Sequence, residues 1–389
     1  MNEDKTVRIV EGKTTLFVPK SSLDARVPSK LPAFFNPLGR LARDFSILVY
    51  NSIMIDRSES ESGGISMADS LAGVGARGIR VAVEVPNIDV VYLNDLNPTA
   101  IKYARKSAEY NNVLQKCRFS VKDACVFLIE HSAPSERFHI IDIDPFGSPS
   151  PFLDCGLRAI KDGGLISITA TDTAVLCGVY PKVSFRKYYG WSLRTEYCHE
   201  IAIRLLYGSL AYCAIRLDCG IQPLFCHTTV HYNRIYAYIY YSKGSAEETA
   251  SNLGYIAHCF KCGDRCVSST PITHCKNCGA NKRLAGPLWI GKIYDRQILD
   301  RVLNLSEQLG MKGCMKIVKM AIEEIDSPPT YYITDRLCNE IGVASISPSK
   351  LVDELKSRGF NASRTAMNPK GVKTDAPISV LKEVIKSLS

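Results

Sequence analysis

The stretch Asp69-Ser70-Leu71-Ala72-Gly73-Val74-Gly75-Ala76-Arg77-Gly78 decides the reading of the fold. It lies where a short apolar run gives way to helical periodicity, and it carries the spacing G-x-G-x-x-G. Glycine lets the backbone turn sharply and come close to a ligand. Alone the motif is common, so its surroundings carry the argument. Residues 65–72 before it read as a strand and 76–85 after it as a helix. Further out, 89–96, 117–121, 138–143 and 164–170 read as strands, separated by helices over 99–111, 124–131 and about 150–161. Strict alternation of strand and helix implies right-handed crossovers and a parallel sheet covered on both faces.

A long helix is expected from Glu196 to about Asp218. Residues 225–232 and 235–241 then face each other across Asn233-Arg234, which adds an antiparallel hairpin to the sheet edge. Five parallel strands followed by such a hairpin resemble the Rossmann-like α/β sheet of class I methyltransferases that use S-adenosylmethionine (AdoMet). Gly244–Thr249 (GSAEET) reads as a linker, and 292–326 as helical until Ser327-Pro328-Pro329 breaks it. The last sixty residues suggest a winged helix-turn-helix: a helix near 335–341, a turn at Gly342, a helix capped by Ser347 with Pro348 at its first position, and a hairpin.

The ends of the strands carry the chemistry. After the second strand, Asp95 is placed to accept the hydroxyls of a ribose. After the third, Asp123 with the amide of Ala124 can read an adenine edge. These acids would otherwise be helix caps. Strand four runs into Asp144-Pro145-Phe146-Gly147-Ser148-Pro149, which resembles the Asp/Asn-Pro-Pro-Tyr/Phe motif of enzymes that methylate amino groups on bases. An exocyclic purine amine delocalises its lone pair into the ring. A carboxylate accepting one of its N–H bonds and a backbone carbonyl accepting another draw the nitrogen towards tetrahedral geometry, and alignment supplies much of the remaining acceleration. Asp144 is the candidate carboxylate and Phe146 the candidate stacking ring. Asp142 shares its face, with no role assigned.

Cys259-x-x-Cys262 and Cys275-x-x-Cys278, twelve residues apart, have the spacing of a four-cysteine zinc site, closed and therefore structural. Cys266, His258 and His274 are read as bystanders. The chain has 15 cysteines; they are expected to be thiols or metal ligands rather than bridges, because neither an apolar signal core nor a membrane-spanning run is present and a cytoplasmic setting follows. A net charge of +9 is compatible with a polyanionic partner. The acid-free run from Lys356 through Arg358, Arg364 and Lys370 to Lys373 could lie on phosphates or be a solvated face.

With these motifs placed, the chain resembles the archaeal and eukaryotic tRNA (guanine(26)-N2)-dimethyltransferase family nearly end to end. The resemblance rests on Glu11-Gly12-Lys13, Phe34-Phe35-Asn36-Pro37, Arg43-Asp44, Asp144–Pro149, Arg186-Lys187-Tyr188-Tyr189-Gly190, Gly286-Pro287-Leu288-Trp289 and Lys373-Thr374-Asp375-Ala376-Pro377. It implies an AdoMet-dependent enzyme acting on tRNA, with Arg43, Arg77, Asp95, Asp123 and Ala124 on the cofactor beside Gly73 and Gly75. It also implies that Asp144 orients and deprotonates the amine, while Phe34 and Phe146 sandwich a flipped guanine. The organisation expected is an N-terminal extension over 1–62, a catalytic domain over 63–245, a zinc module over 246–288 and a tRNA-binding domain over 289–389, in a monomer. Ala42, Phe35, Gly73-Val74 and Ala366 depart from the family pattern. Two other readings stay open: an amino-methyltransferase of another nucleic-acid base, and an RNA-binding protein without activity.

Overall fold

A computed structural model of the chain describes residues 5–24, 33–54 and 64–389. The expected domain boundary at 62/63 lies outside the described residues. The chain opens with a hairpin of β1 (Thr6–Glu11) and β2 (Thr14–Pro19), a turn of helix α1 (Ser21–Asp24), and helix α2 (Arg40–Met54). Asn111 and Ser107 accept hydrogen bonds from the amides of Thr15 and Phe17, so β2 lies along the helix that carries those two side chains.

The alternating segment then forms β3 (Ser66–Asp69), α3 (Ala76–Glu84), β4 (Val90–Asn94), α4 (Pro98–Tyr110), β5 (Cys117–Ser120), α5 (Ala124–Glu130), β6 (Phe138–Ile143), α6 (Leu153–Ala159) and β7 (Ile160–Ala170). Helices α7 (Thr173–Leu176), α8 (Pro181–Tyr188) and α9 (Cys198–Ile215) lead to β8 (Cys219–Thr228) and β9 (Asn233–Tyr241). These strands make one seven-stranded sheet in the order β5-β4-β3-β6-β7-β9-β8. Strands β3 to β7 run parallel, and β9 is antiparallel to both β7 and β8. The chain therefore winds outward in both directions from the β3/β6 pair. Ligands of such sheets bind beyond the carboxyl ends of the strands at that switch point.

Two expectations change here. Asn233 and Arg234 are not the hairpin turn; they pair with Thr228 and His227 inside the ladder, and residues 229–232 make the turn. Arg234 is fully buried, because its charge is matched by an acid on β6. The presumed linker is a helix, α10 (Lys243–Ser251), started by the Ser242 hydroxyl accepting from the Ser245 amide at 3.0 Å. It packs on β8, where buried Thr249 accepts from the Ile221 amide at 2.9 Å.

Beyond it, β10 (Leu253–His258), β11 (Arg265–Ser268) and β12 (Arg283–Trp289) form a three-stranded antiparallel sheet. The single helical stretch expected next is two helices, α11 (Arg296–Gln308) and α12 (Lys312–Glu324), parted by Gly310 in the left-handed region at φ +66°. The chain ends in β13 (Tyr332–Ile333), α13 (Thr334–Ile341), α14 (Pro348–Ser357), β14 (Ala362–Thr365), β15 (Asn368–Thr374) and α15 (Ile378–Leu388). This last unit has its own small core, with Leu337, Leu351, Leu355, Leu381 and Ile385. Among the described residues no helix is long and apolar enough to cross a membrane.

Candidate active site

The turn after β3 needs its glycines. Gly73 and Gly75 have φ of +53° and +74°. A Cβ on Gly75 would lie 2.6 Å from that of Ala104 on α4, and one on Gly73 would lie 3.2 Å from the carbonyl of Phe34. The loop is thus pressed between a helix and the N-terminal segment. Asp95, at the end of β4, braces it: one carboxylate oxygen accepts from the Gly73 amide at 2.7 Å and the other from the Asn97 amide at 2.8 Å. Asp123 caps α5 through the amides of Cys125 and Val126, with Ala124 buried behind it.

At the end of β6 two aspartates meet two arginines. Asp142 is fully buried and accepts from Tyr50, from Ser167 at 2.8 Å and from Arg234. Burial pushes its carboxyl up, but Arg234 and Arg77 outweigh that and hold it below the ordinary carboxylate value. Arg77 spans the pair. Its Nε lies 3.3 Å from Asp142, its Nη1 donates to Ser46 at 2.5 Å, and its Nη2 is bonded to Asp144. Asp144 is the one acid of the group that reaches outward, with its side chain 30% exposed. Asp69 lies in the same field, and burial followed by the Asp142 charge pushes it up from 3.8 to about 7.

Phe34 and Phe146 come together as well. Their rings meet edge to face, centroids 4.5 Å apart and planes at 77°. A flat base stacked between two rings needs roughly 7 Å, two van der Waals separations, so the pair must part before it can hold one. Phe146 is 63% exposed, so little packing stands in the way of its ring turning outward. Arg43 is held by a buried two-pronged pair with Glu11 at 2.7 and 2.6 Å. Its guanidinium covers the Phe35 ring at 4.9 Å.

This arrangement has known counterparts. Residues 8–386 match the model of the family described as N2,N2-dimethylguanosine tRNA methyltransferase. The chain belongs to this family. It is 34% identical to the tRNA (guanine(26)-N(2))-dimethyltransferase of Methanothermobacter thermautotrophicus over 98% of this chain and 99% of that one. It is likewise 34% identical to the enzyme of that name from Methanobrevibacter smithii, over 100% and 99%. Among solved structures, Trm1 from Pyrococcus horikoshii in complex with S-adenosyl-L-methionine superposes with a TM-score of 0.84 at 29% identity, covering 97% of this chain and 99% of that one.

Three departures of this chain from the family pattern have a simple structural account. Ala42 contributes its backbone carbonyl, to Ser46 at 2.9 Å. Phe35 needs only a ring under Arg43. Ala366 contributes a backbone amide, which donates to Glu324 at 2.9 Å. Each role survives the change of side chain.

The four thiols of Cys259, Cys262, Cys275 and Cys278 lie within 4.8 Å of one another, a cluster that could hold a metal ion. Gly263 and Gly279, both left-handed, close the two knuckles by donating to the carbonyls of Cys259 and Cys275 at 2.9 Å. Cys266 instead accepts from Lys282 at 3.2 Å, and His258 bonds Tyr197 at 3.0 Å. One expectation fails among the remaining cysteines: Cys125 on α5 and Cys155 on α6 are joined as a disulfide, with Cα atoms 5.4 Å apart. Their meeting depends on the packing of α5 against α6, which spacing in the chain does not reveal.

The acid-free basic run also reads differently in space. Lys373 is buried between Glu200 and Glu324, Lys370 pairs with Asp335, and Arg358 bonds Glu354 and Glu383. The neutralising acids come from elsewhere in the chain, so the run is not a bare cationic stripe. The sequence reading gave no site role to Tyr50, Arg234 or Glu11. An arginine inside an apolar strand pattern was the available signal for Arg234.

Proposed function

We infer that this protein transfers methyl groups from AdoMet to the exocyclic N2 of guanosine 26 in tRNA, giving N2-methyl- and then N2,N2-dimethylguanosine. The observation that carries this reading is Asp144: a partly exposed carboxylate at the switch point, aimed by buried Arg77 and followed by a ring, Phe146, that leans on Phe34. Bound AdoMet supplies an electrophilic methyl group. Gly73, Gly75, Asp95, Asp123 and Ala124 would hold it along the strand ends, with Arg43 and Arg77 beside it. The donor set suits its nucleoside, since a half-buried carboxylate and a glycine cradle meet a ribose, whereas the guanidinium groups of Arg43 and Arg77 are paired with Glu11, Asp142 and Asp144.

Phe34 and Phe146 part to take the flipped guanine between them. Asp144 accepts a hydrogen bond from the N2 amine and the Pro145 carbonyl a second, which frees the nitrogen lone pair. With the methyl passing from sulfur to N2 and S-adenosylhomocysteine left behind, Asp144 would take the N2 proton and pass it to solvent, restoring the carboxylate for the second methyl.

The cluster of four cysteines suits zinc. Its paired sulfurs are 3.5 and 3.6 Å apart, near the spacing of about 3.8 Å that Zn–S bonds of ~2.3 Å give in a tetrahedron. Four thiolates leave no open position, so the metal holds the fold. Helices α13 and α14 followed by the β14–β15 hairpin have the order of a winged helix, which supports a tRNA-binding role for the C-terminal unit. A reducing cytoplasmic compartment fits the many free thiols, the Cys125–Cys155 bridge being the exception, and the protein is read as a monomer.

The test is mass spectrometry of nucleosides from unmodified tRNA incubated with the protein and AdoMet. Both methylated guanosines are expected, and neither in tRNA whose guanosine 26 is replaced by adenosine. Methylation that persists on the replaced tRNA would overturn the position, and its absence from every tRNA would overturn the activity.

A further inference from the structure

The Arg186–Gly190 segment has no part in the chemistry above, yet it reaches the loop that carries Phe146. Gly147 follows that ring with φ +78° and open space where a Cβ would be. Its amide donates to the Thr171 hydroxyl at 2.7 Å, and its carbonyl accepts from the Thr171 amide at 2.9 Å. Gly147 is therefore pinned through both its backbone groups to the residue just past β7.

The next residue, Asp172, stands at the start of α7, where an aspartate ordinarily caps. Its side chain makes no capping bond. It turns instead to α8 and accepts from the Tyr188 phenol at 2.5 Å and, more distantly, from Lys187 at 3.5 Å. The Tyr188 side chain is completely buried. Tyr188 thus anchors the Thr171-Asp172 corner, to which Gly147, the residue after Phe146, is pinned. Tyr188 is itself fixed from behind. Tyr189 takes a left-handed φ of +57°, a Cβ on Gly190 would lie 2.3 Å from the Pro287 carbonyl, and Trp191 exchanges two backbone hydrogen bonds of 2.8 Å with Gly286.

We propose that Asp172 and Tyr188 are a positioning pair that holds the backbone of Gly147 still, so that the Phe146 ring alone moves when a base enters. This rests on the reading of Phe146 as a stacking ring. The physical need is that the two rings are now in contact and must separate by a few ångströms, while Asp144, two residues before Phe146, must keep its aim. A displacement of about 1 Å at a reacting group can cost ~100-fold in rate. Pinning the chain after the ring confines the movement to side-chain torsions.

Tyr188→Phe removes one oxygen and keeps the ring. In the full-length protein we expect kcat on tRNA to fall about tenfold, with AdoMet affinity within about twofold of the parent by calorimetry. Asp172→Asn keeps an acceptor oxygen for the phenol and should retain more turnover than Asp172→Ala. The decisive measurement is the cycle with Phe146→Leu: once the large ring is gone, adding Tyr188→Phe should change kcat less than about twofold. A structural role alone would give the same loss in both backgrounds, and that result would overturn the proposal, as would an undiminished kcat for Tyr188→Phe. If the parent protein methylates no tRNA guanosine, the functional reading itself has failed; if it does and Tyr188→Phe equals it, only the positioning pair has.

Discussion

The protein buries two ion networks, and they differ in one respect. At the end of β6, Asp142 and Asp144 are matched by Arg77 and Arg234. Where α9, α12 and β15 meet, Glu200 and Glu324 are matched by Lys373 at 3.0 and 3.1 Å and by Arg204 at 3.0 Å. Both balance two acids against two bases. In the second, every side chain of the four is at most 3% exposed. In the first, one acid, Asp144, is 30% exposed. Desolvating charge is expensive and a buried pair roughly offsets that cost, so a closed network has nothing left to give. The open one has spent its desolvation on three members and presents the fourth, already oriented, to whatever enters. On the proposed mechanism, the contrast separates a joint from a reaction centre.

The sharpest way to break this contrast is to remove each network's key member and compare what is lost. Asp144→Ala should lower methyl transfer by about 10²–10⁴-fold, the usual range for a positioned acid–base group, while AdoMet affinity measured by calorimetry stays close to the parent. Asp144→Asn should lose less, since the amide oxygen still accepts one hydrogen bond. Near-normal turnover of Asp144→Ala would take that carboxylate out of the mechanism.

Lys373→Met should do the reverse. Two buried glutamates lose their shared cation, which costs about 3–5 kcal/mol of stability, read by urea unfolding. Adding Glu324→Gln, which leaves Glu200 paired with Arg204, should recover most of it. If Lys373→Met unfolds like the parent, the joint is not a closed network.

Asp69 offers a pH test of the reaction centre. Its folded-state value of about 7 exceeds the ordinary 3.8. Between those values the folded protein keeps the proton that the unfolded chain has released, so stability falls as the pH rises, and the loss is complete above pH 7. Asp69→Asn carries no proton to lose. Its melting temperature relative to the parent should therefore rise from pH 4 to pH 8, by the equivalent of a few kcal/mol at about 1.4 kcal/mol per pH unit. A flat difference would mean that Asp69 is ionised throughout.

Asp95→Ala is expected to weaken AdoMet binding by about 1.5–3 kcal/mol, the range for hydrogen bonds to a charged group, and to leave the affinity for tRNA unchanged. An unaltered AdoMet dissociation constant would reduce Asp95 to a brace for Gly73. The smallest effect is expected at Cys266→Ser, which should keep the metal content of the parent, whereas Cys259→Ser should lose it along with stability. Metal analysis of the two purified variants checks the pair.

The sheet was legible in the chain because parallel strands buried on both faces leave continuous apolar runs, and the glycine turn and the Asp144–Pro149 signature are contiguous. The two cysteine knuckles were legible for the same reason: local spacing alone sets where their sulfurs point. What spacing cannot show is which distant charge neutralises which. Arg234 resembled a turn residue until Asp142 supplied its partner, and Lys373 resembled a phosphate contact until Glu200 and Glu324 enclosed it. The helix at 243–251 lacks a strong apolar stripe and exists because β8 gives Thr249 a place to bury. Local propensity and periodicity determined the elements and their order. Tertiary structure alone decided which ionisable groups are sealed and which one faces out, because the energy of a charge depends on everything packed around it and not on its neighbours in sequence.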